Sequence, residues 1–168
     1  MSNANRLSRL VSRVTGAGLP EPLKQSALSL MFNSQVKMAA TCGIHIHDLS
    51  GDRAHVSLKN SWRVQNHIGG VHACGMALLA ESATGMVFGM NVPDSHIPLI
   101  KSMTVRYKRV AKGDLQAVAS LTPEQIKDIT SSDRGEVLVD VKVTDSTGEQ
   151  PIECEMVWAW VAKKKKQP

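Results

Sequence analysis

Cysteine is scarce: Cys42, Cys74 and Cys154 are the only three in 168 residues, widely spaced and without a CxxC pair. An odd, scattered set excludes a disulfide framework or zinc ribbon and fits a reducing compartment. Aromatic residues number six, and none interleaves with the basic residues as a stacking platform for single-stranded nucleic acid requires. The first residues (MSNANRLSRLVSRV) never offer the roughly 7–15 consecutive apolar residues of a signal peptide, so a cytoplasmic protein is expected. What is present is an ordinary folding composition. At 42% hydrophobic and 21% charged, with both signs, the chain has the makings of one domain with a sizeable core.

The net charge of +5 is unevenly placed. Arg6, Arg9 and Arg13 lie near the start, and Lys163 to Lys166 lead into a basic tail, residues 164–168, read as a solvated end. Between Lys101 and Lys112 there are five cations (Lys101, Arg106, Lys108, Arg109, Lys112) and no acid. A cluster held in a folded segment without aromatic neighbours points to a small polyanionic ligand rather than nucleic acid.

Leu7, Leu10, Val11 and Val14 recur at helical spacing, with the arginines on another face, so residues 5–15 read as a short amphipathic helix. Gly16–Pro22 breaks it, and Leu23 to Ala40 reads as a second helix, so residues 1–40 form a helical extension. The period then changes to two. Ile44, Ile46 and Leu49 form a strand, Ala54, Val56 and Leu58 another, and Ser50-Gly51-Asp52 turns between them as a hairpin.

Residues 71–92 (VHACGMALLAESATGMVFGMNV) read as a buried helix, apolar nearly all round and slimmed by many small residues. Glu81 near its middle tells against a membrane span, where it would cost ~2.5–3.5 kcal/mol. Four alternating strands follow: residues 102–108, 115–121, 137–144 and 155–160, with Pro123 to Arg134 and Asp145 to Pro151 as connections. The expectation is an α+β domain over residues 41–163, one antiparallel sheet wrapped round a central helix.

Glu81 is the only Asp, Glu, Lys or Arg between Arg63 and Asp94. A buried carboxylate without a partner is expensive, and its pKa rises, so it marks a candidate base or nucleophile. Just before the helix stands Asn66-His67-Ile68-Gly69-Gly70-Val71-His72. Gly69 and Gly70 let backbone approach a ligand, and the free N–H groups at a helix start favour an oxyanion. His45-x-His47-Asp48, with Cys42, raises the question of a metal, but alternation turns both imidazoles the same way and no third ligand follows. No metal site and no cofactor is assigned. Cys74, two residues past His72, reads as a buried structural thiol, and Trp158 and Trp160 as core or subunit interface.

Asn66, His72 six residues on, and Glu81 on a small-residue helix resemble the signature of hotdog-fold acyl-CoA thioesterases. The likeness is to the phenylacetate-pathway and 4-hydroxybenzoyl-CoA branch, and more closely to a thioesterase-like branch of the same superfamily. The sequence departs from that pattern in having His72-Ala73-Cys74 in place of His-Gly-Gly. The resemblance implies a hotdog fold and thioester hydrolysis, with Glu81 as general base or nucleophile and the Ala73 N–H polarising the thioester carbonyl. Asn66 would orient the water or carboxylate, and His72 would shape the pocket. It also implies acyl-CoA as substrate and a homodimer or dimer of dimers, with sites between subunits and no membrane partner. Ser102 is a candidate for the Ser or Thr that some relatives supply from the neighbouring subunit, and Arg106, Lys108 and Arg109 for holding the CoA phosphates. Two other readings share these residues. One is a non-catalytic acyl-CoA or lipid binder. The other is a hydroxyacyl thioester dehydratase using His67 and Glu81, although residues 65–92 lack the prolines that surround the dehydratase His.

Overall fold

The computed structural model describes residues 4–163; the expected basic tail, 164–168, lies outside them. Helix α1 (Arg6–Gly16) is capped by Asn5, whose Oδ1 accepts the Ser8 N–H at 2.8 Å. The single helix expected over Leu23–Ala40 is two, α2 (Glu21–Gln35) and α3 (Lys37–Cys42), broken at Val36 (φ −109°, ψ 86°). Neither Pro nor Gly marks this break, so periodicity could not show it. Packing sets it: the turn buries Ala39 completely, and α3 then closes on Gly43 in the left-handed region (φ +78°) that glycine adopts without strain.

Strands β1 (His45–Leu49) and β2 (Arg53–Leu58) form the expected hairpin, closed by the Ser50 N–H donating to Arg53 O at 2.8 Å. After a short 3-10 turn (Trp62–Val64) comes α4 (Ala73–Gly89), then β3 (His96–Tyr107), β4 (Leu115–Ser120), α5 (Pro123–Ser131), β5 (Arg134–Asp145) and β6 (Ile152–Ala162). Neighbouring strands pair antiparallel in the order β1-β2-β4-β5-β6-β3, and the sheet wraps α4. No helix among the described residues is long and apolar enough to cross a membrane.

Two element boundaries correct the sequence reading. The connection after Pro123 holds helix α5, opened by a capping box in which Thr122 and Gln125 exchange side-chain and backbone bonds. That signal was legible as Thr-Pro-Glu-Gln. Strand β3 begins at His96, six residues early, and runs through Pro98. Proline lacks a ladder donor, which an edge strand tolerates, and β3 is an edge.

The small residues of α4 let strands come close. A Cβ on Gly85 would fall 2.8 Å from the Trp158 ring, and the Trp158 Nε1–H donates to Thr84 Oγ1 at 2.9 Å. Trp158 and Trp160 pack at a tilt against Phe88, and both are buried within the single chain. Of the two roles left open for them, core is the one they fill.

Candidate active site

Helix α4 buries most of its surface, but Cys74, Leu78, Glu81 and Gly85, spaced three or four apart, form a stripe that is only half-covered or exposed. Cys74 is exposed, not the buried thiol expected, because it stands in the first turn on this open stripe. Glu81 is half-buried, and among the described residues no ion pair reaches it. Burial pushes its carboxyl above the ordinary 4.5, with the Ser82 hydroxyl acting in the opposite sense.

Two tie points locate the stripe against β3. At the start of α4 the Tyr107 hydroxyl donates to Ala73 O at 3.0 Å. Further along, Gly85 meets Trp158, whose strand partner is Ile100. Interpolated between these points, at about 1.5 Å per helical residue and about 3.3 Å per strand residue, Glu81 falls at the level of Ser102 and Met103. A bulge between Ile100 and Ser102 keeps Ile100, Met103 and Tyr107 on the helix side of the sheet. Yet they are 37%, 50% and 51% exposed, so the described residues leave them only partly covered. One carboxylate therefore borders an open apolar strip at a sheet edge. Sequence reasoning missed Met103 and Tyr107 as site residues, although their alternation with Thr104 and Arg106 was visible.

The 66–72 loop is rigid by its own bonds. Asn66 Oδ1 accepts the N–H groups of Ile68 and Gly70, both at 3.1 Å, and the Asn66 N–H donates to Gly70 O at 2.8 Å. Gly69 sits at φ +79°, which the tight turn requires. His72 is the helix cap, its Nδ1 accepting the Cys74 N–H at 3.1 Å, so its proton is on Nε2. Ala73, first residue of α4, has an N–H with no intrahelical acceptor. Eight residues separate Ala73 from Glu81, about 12 Å along the axis. Asn66, Gly69, Gly70, His72 and Ala73 thus gather at one end of the strip and Glu81 stands near its middle.

The cation cluster is acid-free only in sequence. Across the sheet Lys101 pairs with Glu136, Arg106 with Glu155 (2.6 Å), Lys108 with Glu153 (3.3 Å) and Arg109 with Asp145 (2.7 Å). The first three pairs are exposed. Asp145 is buried: desolvation alone would raise its pKa, but the Thr147 hydroxyl, the Lys112 and Thr147 N–H groups and Arg109 bring it down to about 2. Ser102 pairs with Val157 and so lies on the face away from Met103, not toward Glu81 of its own chain. His67 is exposed on the loop. His45, His47 and His55 cluster with successive centroids 4.9 and 4.8 Å apart, the first pair edge to face, a third imidazole the sequence reading did not add, while His47 Nε2 lies 2.8 Å from Ser57 Oγ. The Cys154 thiol is pushed up to about 11 by burial.

The family described as a domain of unknown function (DUF4442) matches this chain over residues 24–161. No curated protein matches it. Among solved structures it is similar to a Pseudomonas aeruginosa protein described as of unknown function and a probable thioesterase, at 23% identity and TM-score 0.72, over 86% of this chain and 97% of that one. A Haemophilus influenzae thioesterase aligns at 12% identity and TM-score 0.62, over 82% and 92%. A mutant Staphylococcus aureus thioesterase enzyme aligns at 16% and 0.63, over 74% and 98%. At such identities the likeness is one of fold: the chain has the hotdog fold.

Proposed function

The chain belongs to the DUF4442 family, and on that premise we propose that it hydrolyses acyl thioesters, acyl-CoA among them, with Glu81 as general base. The observation that carries this reading is Glu81 itself, a carboxylate with raised pKa beside a partly covered apolar strip. The strip takes the acyl chain. Glu81 accepts a proton from water, the water oxygen bonds to the thioester carbon, and the carbonyl oxygen becomes an oxyanion. The Ala73 N–H at the positive end of α4 receives that oxyanion. When the tetrahedral species collapses, the C–S bond breaks and the thiolate takes the proton held by Glu81.

The roughly 12 Å between Ala73 and Glu81 bears on how the site is completed. A carbonyl held by the Ala73 N–H of one copy is out of direct reach of that copy's Glu81. In this reading a second copy laid on the edge strand brings its own Glu81 to the Ala73 end of the strip, and its apolar face covers Ile100, Met103 and Tyr107. A homodimer, or a dimer of dimers, is therefore part of this reading. Asn66 holds the loop, and its amide NH₂ is left to orient water. Arg106 and Lys108 supply the phosphate contacts by exchanging their exposed carboxylate partners, with Arg109 held beside them on Asp145.

The test is thiol release from short, long and aromatic acyl-CoAs by the purified protein. Turnover that Glu81→Gln abolishes is the expected result. Heat protection by acyl-CoA without thiol release would make the protein a binder. Formation of an enoyl product from a 3-hydroxyacyl thioester would instead favour the His67–Glu81 dehydratase.

A further inference from the structure

A cavity of about 440 Å³ lies between α1, α2, the end of α4 and the start of β3. That volume falls within the roughly 300–1,000 Å³ of small-molecule sites. Gly89, on its wall, is eight residues past Glu81, about 12 Å further along the helix, so this is not the thioester site. Its walls are fixed. Asn5 Nδ2 donates to Gly89 O at 2.8 Å and to Val92 O at 2.6 Å, clamping α1 across the end of α4.

The lining is apolar within and cationic at the rim. Leu7, Met31, Phe32 and Val36 supply the body, and Arg6 and Lys163 the charge. Asp94, the one carboxylate there, is already taken: its oxygens accept the Arg6 N–H at 2.9 and 3.1 Å and meet the Arg9 guanidinium at 3.2 Å. Lys163 Nζ donates to Asp94 O at 2.7 Å and keeps two further N–H donors. His96 forms part of the wall. Its Nδ1 lies 2.9 Å from Ser95 Oγ, while Nε2 is shut off from solvent with no partner among the described residues.

We propose that this cavity binds an amphipathic monocarboxylate, its apolar chain on Phe32 and its neighbours and its carboxylate at the Arg6–Lys163 rim. The positive rim selects an anion over a neutral amphiphile of equal length.

Calorimetric titration of the whole protein with decanoate and with decan-1-ol tests this. Decanoate should bind at least about tenfold tighter. Arg6→Ala should weaken decanoate several-fold while leaving decan-1-ol unchanged. In the wild type, which needs no variant to fold, magnetisation transfer should connect the decanoate methylenes to the Phe32 and His96 rings. Equal affinity for acid and alcohol, no binding of decanoate, or transfer to Leu78 near Glu81 instead would each overturn the proposal. Failure of thioester hydrolysis would leave it standing, since none of these readouts uses turnover.

Discussion

Arg109 Nη1 lies 2.7 Å from Asp145 Oδ2, and the Asp145 side chain is wholly excluded from solvent. The pair ties the loop after β3 to the end of β5, so Arg109 is bound to the fold more tightly than Arg106 or Lys108, whose glutamates are exposed.

Asp145 makes stability depend on acid. Its folded pKa of about 2 lies below the ordinary 3.8, so its contribution is complete above 3.8 and is lost as pH falls towards 2. Melting temperatures measured from pH 5 to pH 2 should fall in that window, and Asp145→Asn should flatten the fall. Arg109→Ala leaves a buried acceptor short of a donor and should cost about 1–3 kcal/mol. Denaturant titration showing an unchanged midpoint would contradict that assignment.

Glu81→Gln keeps the shape of the side chain but cannot accept a proton. Hydrolysis should drop by ~10²–10⁴-fold with the fold intact. Because burial raises the Glu81 pKa and the ionised form is the active one, kcat/KM should fall with decreasing pH through a value above 4.5. A pH-independent rate from 4 to 7 would place the base elsewhere.

Arg106 and Lys108 stand in exposed pairs, which contribute little to stability and are screened by salt. The double variant Arg106→Ala, Lys108→Ala should melt close to wild type. It should raise KM for acyl-CoA with kcat nearly unchanged, the pattern of lost uniform binding. A small acyl thioester without the nucleotide should be unaffected. Equal losses on both substrates would remove the phosphate role.

Gly85→Ala sets two effects against each other. Alanine in a helix interior gains about 1 kcal/mol over glycine. Here its Cβ would stand 2.8 Å from a buried indole ring held by its own bond to Thr84, and overpacking of that kind costs ~1–3 kcal/mol. The steric term wins, and the midpoint of unfolding should move to lower denaturant. A stabilised variant would show that the ring is free to move.

Half-exposed Met103 and Tyr107 on an unpaired edge predict self-association. Sedimentation at micromolar concentration should give a dimer or larger. Met103→Lys should yield monomers that lose hydrolysis along with assembly. A fully active monomer would contradict a site shared between two copies.

The sequence by itself determined the hairpin, the buried helix and the alternating strands, because side-chain periods of 2 and 3.6 report which face is buried whatever lies opposite. It also singled out Glu81, since a lone charge in a long apolar run needs no coordinates to be noticed. Tertiary structure decided the rest. The break at Val36 answers to packing and carries no local signal, and the β3 extension through Pro98 is allowed only by the strand's place at the sheet edge. Glu136, Asp145, Glu153 and Glu155 neutralise a cluster that looks unopposed along the chain, because strand pairing brings residues tens of positions apart into contact. The cavity beside His96 exists only because α1 folds back over the end of α4, a long-range closure that no local spacing encodes.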